Sequence, residues 1–216
     1  MPIFTTEGII VKRRNFGEAD RILTVITPFK GKINILAKGV RRITSRRGGN
    51  VELLNRVRLQ IFQGKGLPIL TEAESLETFP KIKNNLILSS YAFHLAELAE
   101  RFLPESQLNK KAYDLLKGTL ILLDENPRQI FIRAFEVKLL TILGFWSLDQ
   151  IKAGVNMRNI LKTLGTGIWE EIENLKVDQN QTLELERLLR YYIERILESP
   201  LRSMKVIDKL KNKNYG

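Results

Sequence analysis

Five short β-type runs fill the first third of the chain, each closed by a turn or loop. They cover residues 9–11, 22–27, 33–37, 57–61 and 69–73, and β-branched residues recur in them. In the third run Ile33, Ile35 and Ala37 alternate with Lys32, Asn34 and Lys38. In the fourth, Val57, Leu59 and Ile61 alternate with Arg56, Arg58 and Gln60. A period of two sends successive side chains to opposite faces, so each of these strands buries one face and keeps a polar one. Leu36 breaks the polar set, which assigns it to an edge contact or to a ligand. Asn15 with Gly17 to Asp20, PFKG at 28–31 and Gly64 to Pro68 read as turns. Five such strands in about 75 residues predict a small closed or nearly closed β-barrel. The five-stranded OB-fold, a habitual binder of single-stranded nucleic acid, fits; strand count alone also permits an SH3-like barrel.

The period changes at Pro80. From residue 81 to 103, Ile82, Leu86, Tyr91, Leu95, Leu98 and Phe102 recur at spacings near three and four, which predicts a helix ended by Pro104. A second helix covers 110–123. Asn126 and Pro127 read as the cap and first residue of a third, with Phe131, Phe135, Leu139 and Ile142 on one stripe and Gly144 as its stop. Shorter helices at 155–164 and 168–175 are split by Gly165 and Gly167. Thr182 caps a long helix to residue 197, and 203–210 adds a last one. The expected fold class is α+β in two domains, an OB-fold barrel over 1–79 and an all-α domain over 80–216.

Charge is distributed unevenly over this plan. Residues 1–66 hold 14 Lys+Arg against 4 Asp+Glu, whereas 67–216 hold 21 against 20. Such asymmetry implies a polyanionic partner, most often nucleic acid. The candidate nucleic-acid-binding residues are Lys12, Arg13, Arg14, Arg21, Lys30, Lys32, Lys38, Arg41, Arg42, Arg46, Arg47, Arg56 and Arg58. Among them Arg41, Arg42, Arg46 and Arg47 come first, because GVRRITSRRGGN at 39–50 has no apolar period and reads as a long loop or flexible arm. No base-reading pattern is visible, so binding is expected to depend weakly on sequence. Phe16, Phe29 and Phe62 fall on turns or the polar face, as stacking platforms or as core lids.

Other chemistries find little support. There is no cysteine, which excludes disulfides and cysteine-ligated zinc and fits a reducing compartment. No window approaches the roughly 18 uncharged residues of a membrane span, and no apolar signal-peptide stretch opens the chain. A cytoplasmic, nucleoid-associated protein with no membrane partner is expected. Glu18 and Asp20 beside Arg21 read as a local salt bridge or turn device, and His94 as a packed helix residue. No phosphate loop of Walker type and no nucleophile with a base partner is present, so neither an enzyme nor a cofactor is expected.

Four segments carry a resemblance: TEGIIVKRRNFGEADRILTVITPFKGK, AKGVRRITSRRGG, GLPILTEAESLE and FEVKLLTILGF. In this order they resemble the RecO family of bacterial recombination mediators. The resemblance implies an N-terminal OB-fold, a C-terminal α-helical domain, binding of single- and double-stranded DNA, and annealing of complementary strands. It also implies work with RecR in loading RecA on strands coated by single-strand-binding protein (SSB), whose acidic C-terminal tail the helical domain would meet. Such a tail calls for an apolar pocket rimmed by cations such as Arg128, Arg133 or Lys138, with Trp146, Trp169, Tyr191 and Tyr192 as core or as groove lining. One departure is plain. Many members carry a four-cysteine zinc module soon after the LGF-like segment; here WSLDQIKAGVNMRNILKTLG has neither cysteine nor histidine, so no metal is expected and apolar packing must suffice. A second reading is an RNA-binding OB-fold module of translation or RNA processing. A third is a structural protein whose basic face docks an acidic partner.

Overall fold

The computed structural model describes residues 3–147, 151 and 153–213. Strands β1 (Ile3–Phe16), β2 (Asp20–Thr27), β3 (Gly31–Ala37), β4 (Arg56–Phe62) and β5 (Ile69–Glu77) come first. Helices α1 (Pro80–Lys83), α2 (Leu86–Phe102), α3 (Lys110–Glu125), α4 (Gln129–Ile142), α5 (Val155–Thr166), α6 (Trp169–Glu173), α7 (Gln179–Leu197) and α8 (Arg202–Lys213) follow. The fold class is α+β, as the two hydrophobic periods indicate.

The strands form a ring in the order β1-β2-β3-β5-β4, the order of an OB-fold. β1 is much longer than its apolar run because Thr5, Thr6 and Glu7 are laddered to β4, where they face Gln60, Leu59 and Arg58. Its second half pairs with β2, from Ile9 opposite Ile26 to Phe16 opposite Asp20. A register shift between Ile10 and Lys12 lets the strand bend from one partner to the other. Four neighbouring pairs are antiparallel ladders. The fifth, β3 to β5, is a single parallel pairing of Leu36 with Ile69, supported by the Leu36 N–H donating to the Pro68 carbonyl at 2.8 Å. The barrel is therefore nearly closed, and Leu36 is its seam residue.

Ile10, Leu23, Val25, Ile35, Val57, Leu59, Ile61 and Leu70 fill the interior. Val40 and Val51, from the segment joining β3 to β4, belong to the same cluster and are 3% and 0% exposed. Burying two such side chains is worth about 1.5–3 kcal/mol each, enough to hold that segment down. Instead of a flexible arm it is a chain of turns: the N–H groups of Arg42, Ser45, Gly48 and Asn50 donate to the carbonyls of Gly39, Arg42, Ser45 and Arg47. Arg47 straps it to β5 by donating to the Leu70 carbonyl at 2.8 Å, and Asn50 donates to the Ala73 carbonyl at 3.0 Å.

Several helix boundaries differ from the expected ones, each for a local reason. The helix expected over 81–103 is broken at Asn84–Asn85, where the Asn85 side chain accepts from the N–H groups of Ile87 and Leu88 and starts α2 afresh. Asn126 ends α3 instead of capping α4, and its side chain donates to Glu173 at 2.7 Å. α7 starts before Thr182, because Asp178 and Gln181 cap each other's backbone N–H groups. Beyond Phe145, Trp146, Ile151, Met157, Ile160, Leu161 and Leu164 are buried, so the part of that stretch that is described packs by apolar contact; Leu148, Asp149, Gln150 and Lys152 lie outside the described residues.

Barrel and helices share a core. Ile9, Val11 and Ile26 on the outer wall of β1 and β2, with Leu54, join one cluster with Phe79, Ile82, Leu95, Leu98, Phe131 and Phe135. The segment after α2 also closes over β3: the Ser106 N–H donates to the Lys32 carbonyl at 2.9 Å. Gly31 permits this approach. It has φ of 67°, and a methyl group there would meet the Gln107 backbone. Gly31→Ala should destabilise the protein by about 2 kcal/mol or more, from left-handed strain plus collision, read as a lower urea midpoint.

Candidate nucleic-acid interface

Strand register builds one outward face at the top of β1, β2 and β3. Lys12, Arg14 and Phe16 alternate with Arg13 and Asn15, so they share a side of β1. Opposite them on β2 stand Thr24, Ile22 and Asp20. Beyond those on β3 stand Asn34 opposite Thr24 and Leu36 opposite Ile22, with Lys38 two residues further. The lower row is closed by the helical body. Lys12 pairs with Glu100 at 2.8 Å, Asn34 donates to Glu105 at 2.6 Å, and the Lys32 ammonium donates to the Glu100 carbonyl at 2.6 Å. A depression of about 250 Å³ spans this boundary, lined by Lys12, Arg14, Ile22, Thr24, Asn34 and Leu67 with the carboxylates of Glu100 and Glu105 on its wall. A second depression of about 480 Å³ adjoins Asp20 and Lys38 and is lined by Gly39, Arg42, Thr44, Ser45, Arg46 and Arg47.

The thirteen sequence candidates divide by what they already hold. Five face carboxylates: Lys12 with Glu100, Arg13 and Arg21 with Glu52, Arg56 with Glu7 and Glu77, and Arg58 with Glu74. Arg56 is the most committed. Its hydrogen bonds to Glu77 outweigh its burial and raise its pKa further, with Glu7 helping. The other oxygen of Glu7 accepts from the Tyr113 hydroxyl of α3 at 3.1 Å, so this cluster joins barrel to helices. Burial and the Glu7 carboxylate push the Tyr113 hydroxyl up, keeping it a neutral donor. Lys32 and Arg47 are spent on backbone carbonyls, and Lys30 lies over the Phe4 ring at 5.1 Å.

Arg14, Lys38, Arg41, Arg42 and Arg46 remain. Among the described residues none of the five has a carboxylate partner, and all five are exposed. They sit at one end of the barrel, where β1 and β3 finish and β2 begins. The Arg41 N–H donates to the Ala19 carbonyl at 2.9 Å, and its guanidinium donates to the Gly17 carbonyl at 3.3 Å, docking the cap to the β1–β2 turn. Asp20 is a turn device, since its carboxylate accepts from the Gly39 N–H at 2.7 Å. Exposed cations without carboxylate partners, gathered at one end of the barrel around a depression that Asp20, Thr44 and Ser45 also line, have the chemistry to meet several phosphates at once. Phe16 and Phe29 are not core lids; they are 49% and 64% exposed, while Phe62 is half-buried.

The helical cations do not form one rim. Arg133 is 3% exposed and donates to both oxygens of Glu136 at 2.8 Å, with Glu186 at 3.4 Å, so it is a core residue. Lys138 donates to the carbonyls of Gly165 and Gly167 at the end of α5, and partial burial lowers its pKa. Arg128 is exposed but pairs with Glu173 at 3.2 Å. Trp146 packs edge-on to Tyr192, and Trp169 edge-on to Phe131. His94 is packed, as its setting in the sequence indicates: Nδ1 is 2.9 Å from the Ser203 hydroxyl and Nε2 is 2.6 Å from Glu136. Among the described residues no group of His, Asp and Glu is placed to hold a metal ion, and no helix is long and apolar enough to cross a membrane.

Comparison with known proteins covers both parts of this fold. The family model described as "Recombination protein O N terminal" matches residues 1–79, and "Recombination protein O C terminal" matches residues 83–147. A protein of Symbiobacterium thermophilum named DNA repair protein RecO is 37% identical over 67% of this chain; the match spans 58% of that relative's length. Proteins of the same name from Roseiflexus and from Dehalococcoides mccartyi strain CBDB1 are 28% and 29% identical over 95% and 96% of this chain. Those matches span 85% and 96% of the relatives.

Proposed function

The chain belongs to the recombination protein O family, whose relatives above bear the name of DNA repair proteins, and from that premise we propose that it is a DNA-binding mediator of recombinational repair. The observation that carries this reading is the set of five exposed cations without carboxylate partners at one end of the barrel. The proposed activity is binding and strand handling, with no covalent bond made or broken. The basic rim holds sugar-phosphate backbone of single strands, and of duplexes more weakly. Annealing follows if the same rim screens two complementary strands at once and lowers their repulsion. The helical body serves protein partners: RecR, and the acidic tail of SSB, with RecA loaded in consequence. Of the cations first considered for that tail, only Arg128 offers an exposed charge.

A fluorescence titration with single-stranded oligonucleotides at several salt concentrations tests this. If the five cations each meet a phosphate, log affinity should fall against log salt with a slope near −3.5, from about −0.7 per contact. No binding at low salt would exclude nucleic acid as the partner. An RNA strand of equal length provides the comparison for the translation or RNA-processing reading, since preference for RNA requires groups that read the 2′-hydroxyl.

A further inference from the structure

We infer that Phe16 is a base-stacking residue that gives this end of the barrel its preference for unpaired DNA; this deepens the DNA-binding reading and rests on it. Phosphate contacts account for the cations of the rim but not for what lies between them. Phe16, at the tip of β1, is 49% exposed, and Leu67, in the β4–β5 turn, is 46% exposed. Leu36 is half-exposed at the seam. Arg14 precedes Phe16 by two residues on the same side of β1, and Lys38 follows Leu36 by two residues. Across the strands Arg14, Ile22 and Leu36 form one row; in the next, Phe16 stands opposite Asp20, whose carboxylate is taken up by the Gly39 N–H, with Lys38 beyond, so apolar surface lies between the cations Arg14 and Lys38. A single strand presents the complementary alternation, with phosphates separated by flat apolar bases. A duplex keeps its bases stacked inside and can use only the cations.

Position also favours Phe16 over the chain's other exposed barrel aromatic. The Arg41 guanidinium donates to the carbonyl of Gly17, next to Phe16, so the ring sits where the cap meets the β1–β2 turn. Phe29 lies in the turn between β2 and β3, at the other end of these strands, with Lys30 occupied by the Phe4 ring. The alternation of Lys12, Arg14 and Phe16 on one face is therefore continuous with the rim, and the Phe29 turn is not.

The test compares wild type, Phe16→Ala, Phe16→Trp and Phe29→Ala by fluorescence titration with an oligothymidylate strand and with a hairpin duplex. Phe16→Ala should weaken single-strand binding roughly 5- to 100-fold while leaving duplex affinity and the salt slope unchanged. Phe16→Trp should restore it, and Phe29→Ala should have no effect. Far-ultraviolet circular dichroism and the unfolding midpoint confirm that each variant is folded. The inference is overturned if Phe16→Ala binds the single strand as wild type does. Equal losses on strand and duplex, or a loss in Phe29→Ala matching that in Phe16→Ala, overturn it too. Wild type that binds neither ligand at low salt removes both this inference and the function beneath it.

Discussion

Changing Lys38, Arg42 and Arg46 together to alanine should cost single-strand affinity roughly 100-fold, at ~1 kcal/mol for each exposed charge-assisted contact. The salt slope should become shallower by about 2, from ~0.7 per lost contact. These three line the larger depression, and among the described residues no side-chain bond to another protein group holds them in place. Stability should therefore stay within about 1.5 kcal/mol of wild type, from the usual ~0.5 kcal/mol range for each surface substitution. Arg47 is left out deliberately. Although it is adjacent in sequence, it bonds the carbonyls of Lys38, Leu70 and Thr71, and its removal would unstrap the cap and confuse loss of fold with loss of charge. Unchanged affinity in the triple variant would show that the phosphates run elsewhere, and the salt slope would then count the wrong cations.

The second large effect is on stability. Glu136→Gln should destabilise the protein by about 3 kcal/mol, the lower end of the cost of orphaning a buried ion-pair partner. For a chain of this length that is a fall of roughly 10 °C in the unfolding midpoint. Glu136 on α4 accepts from Arg133 through both oxygens and meets His94 of α2, which in turn reaches Ser203 of α8. Glu186 of α7, 3.4 Å from Arg133, limits the loss. Arg133→Met added to Glu136→Gln should recover part of the stability, because no unpaired charge is then left inside. The pH dependence has a definite sign. Burial opposes the Glu136 charge, but the Arg133 guanidinium, joined by His94, outweighs it and holds the carboxyl below the usual carboxylate range. A depressed folded pKa contributes stability that is complete above the unfolded value, about 4.3, and is lost as pH falls through the lower folded value. Wild type should therefore lose stability on acidification more steeply than Glu136→Gln, as denaturation midpoints across that range will show.

The burial of Arg133 and Glu136 had a signal in the sequence. In QIFIRAFEVKLLTI nine of fourteen residues are apolar and they spread around the helix, next to the side that Gln129, Arg133 and Glu136 share, and a helix so largely apolar is mostly enclosed. The two charges inside it, three residues apart, are a pair and not a rim. The stripe through Phe131, Phe135, Leu139 and Ile142 drew the eye to one face only. The barrel was more legible, because alternation, strict in β4 and broken only at Leu36 in β3, survives any neighbour. What alternation cannot show is register. Glu74 and Glu77 lie outside the basic stretch along the chain but sit directly across from Arg58 and Arg56 on β4. Over residues 1–79 the balance is 14 Lys+Arg against 7 Asp+Glu, so a tally stopped at residue 66 overstates the charge left for a ligand. The cap was hidden for a related reason: two valines eleven residues apart form no period, yet both plug the barrel end.

The outer wall of β1 and β2 is also the floor on which α2 and α3 rest. A fragment cut after residue 79 would carry Ile9, Val11 and Ile26 as a naked greasy flank, and the remaining helices would lose the surface they fold against. The barrel is thus no detachable cassette. Stickiness measured on such a fragment would report that raw flank as much as any nucleic-acid grip, and grafting the rim onto another scaffold would have to bring its own lid for that side.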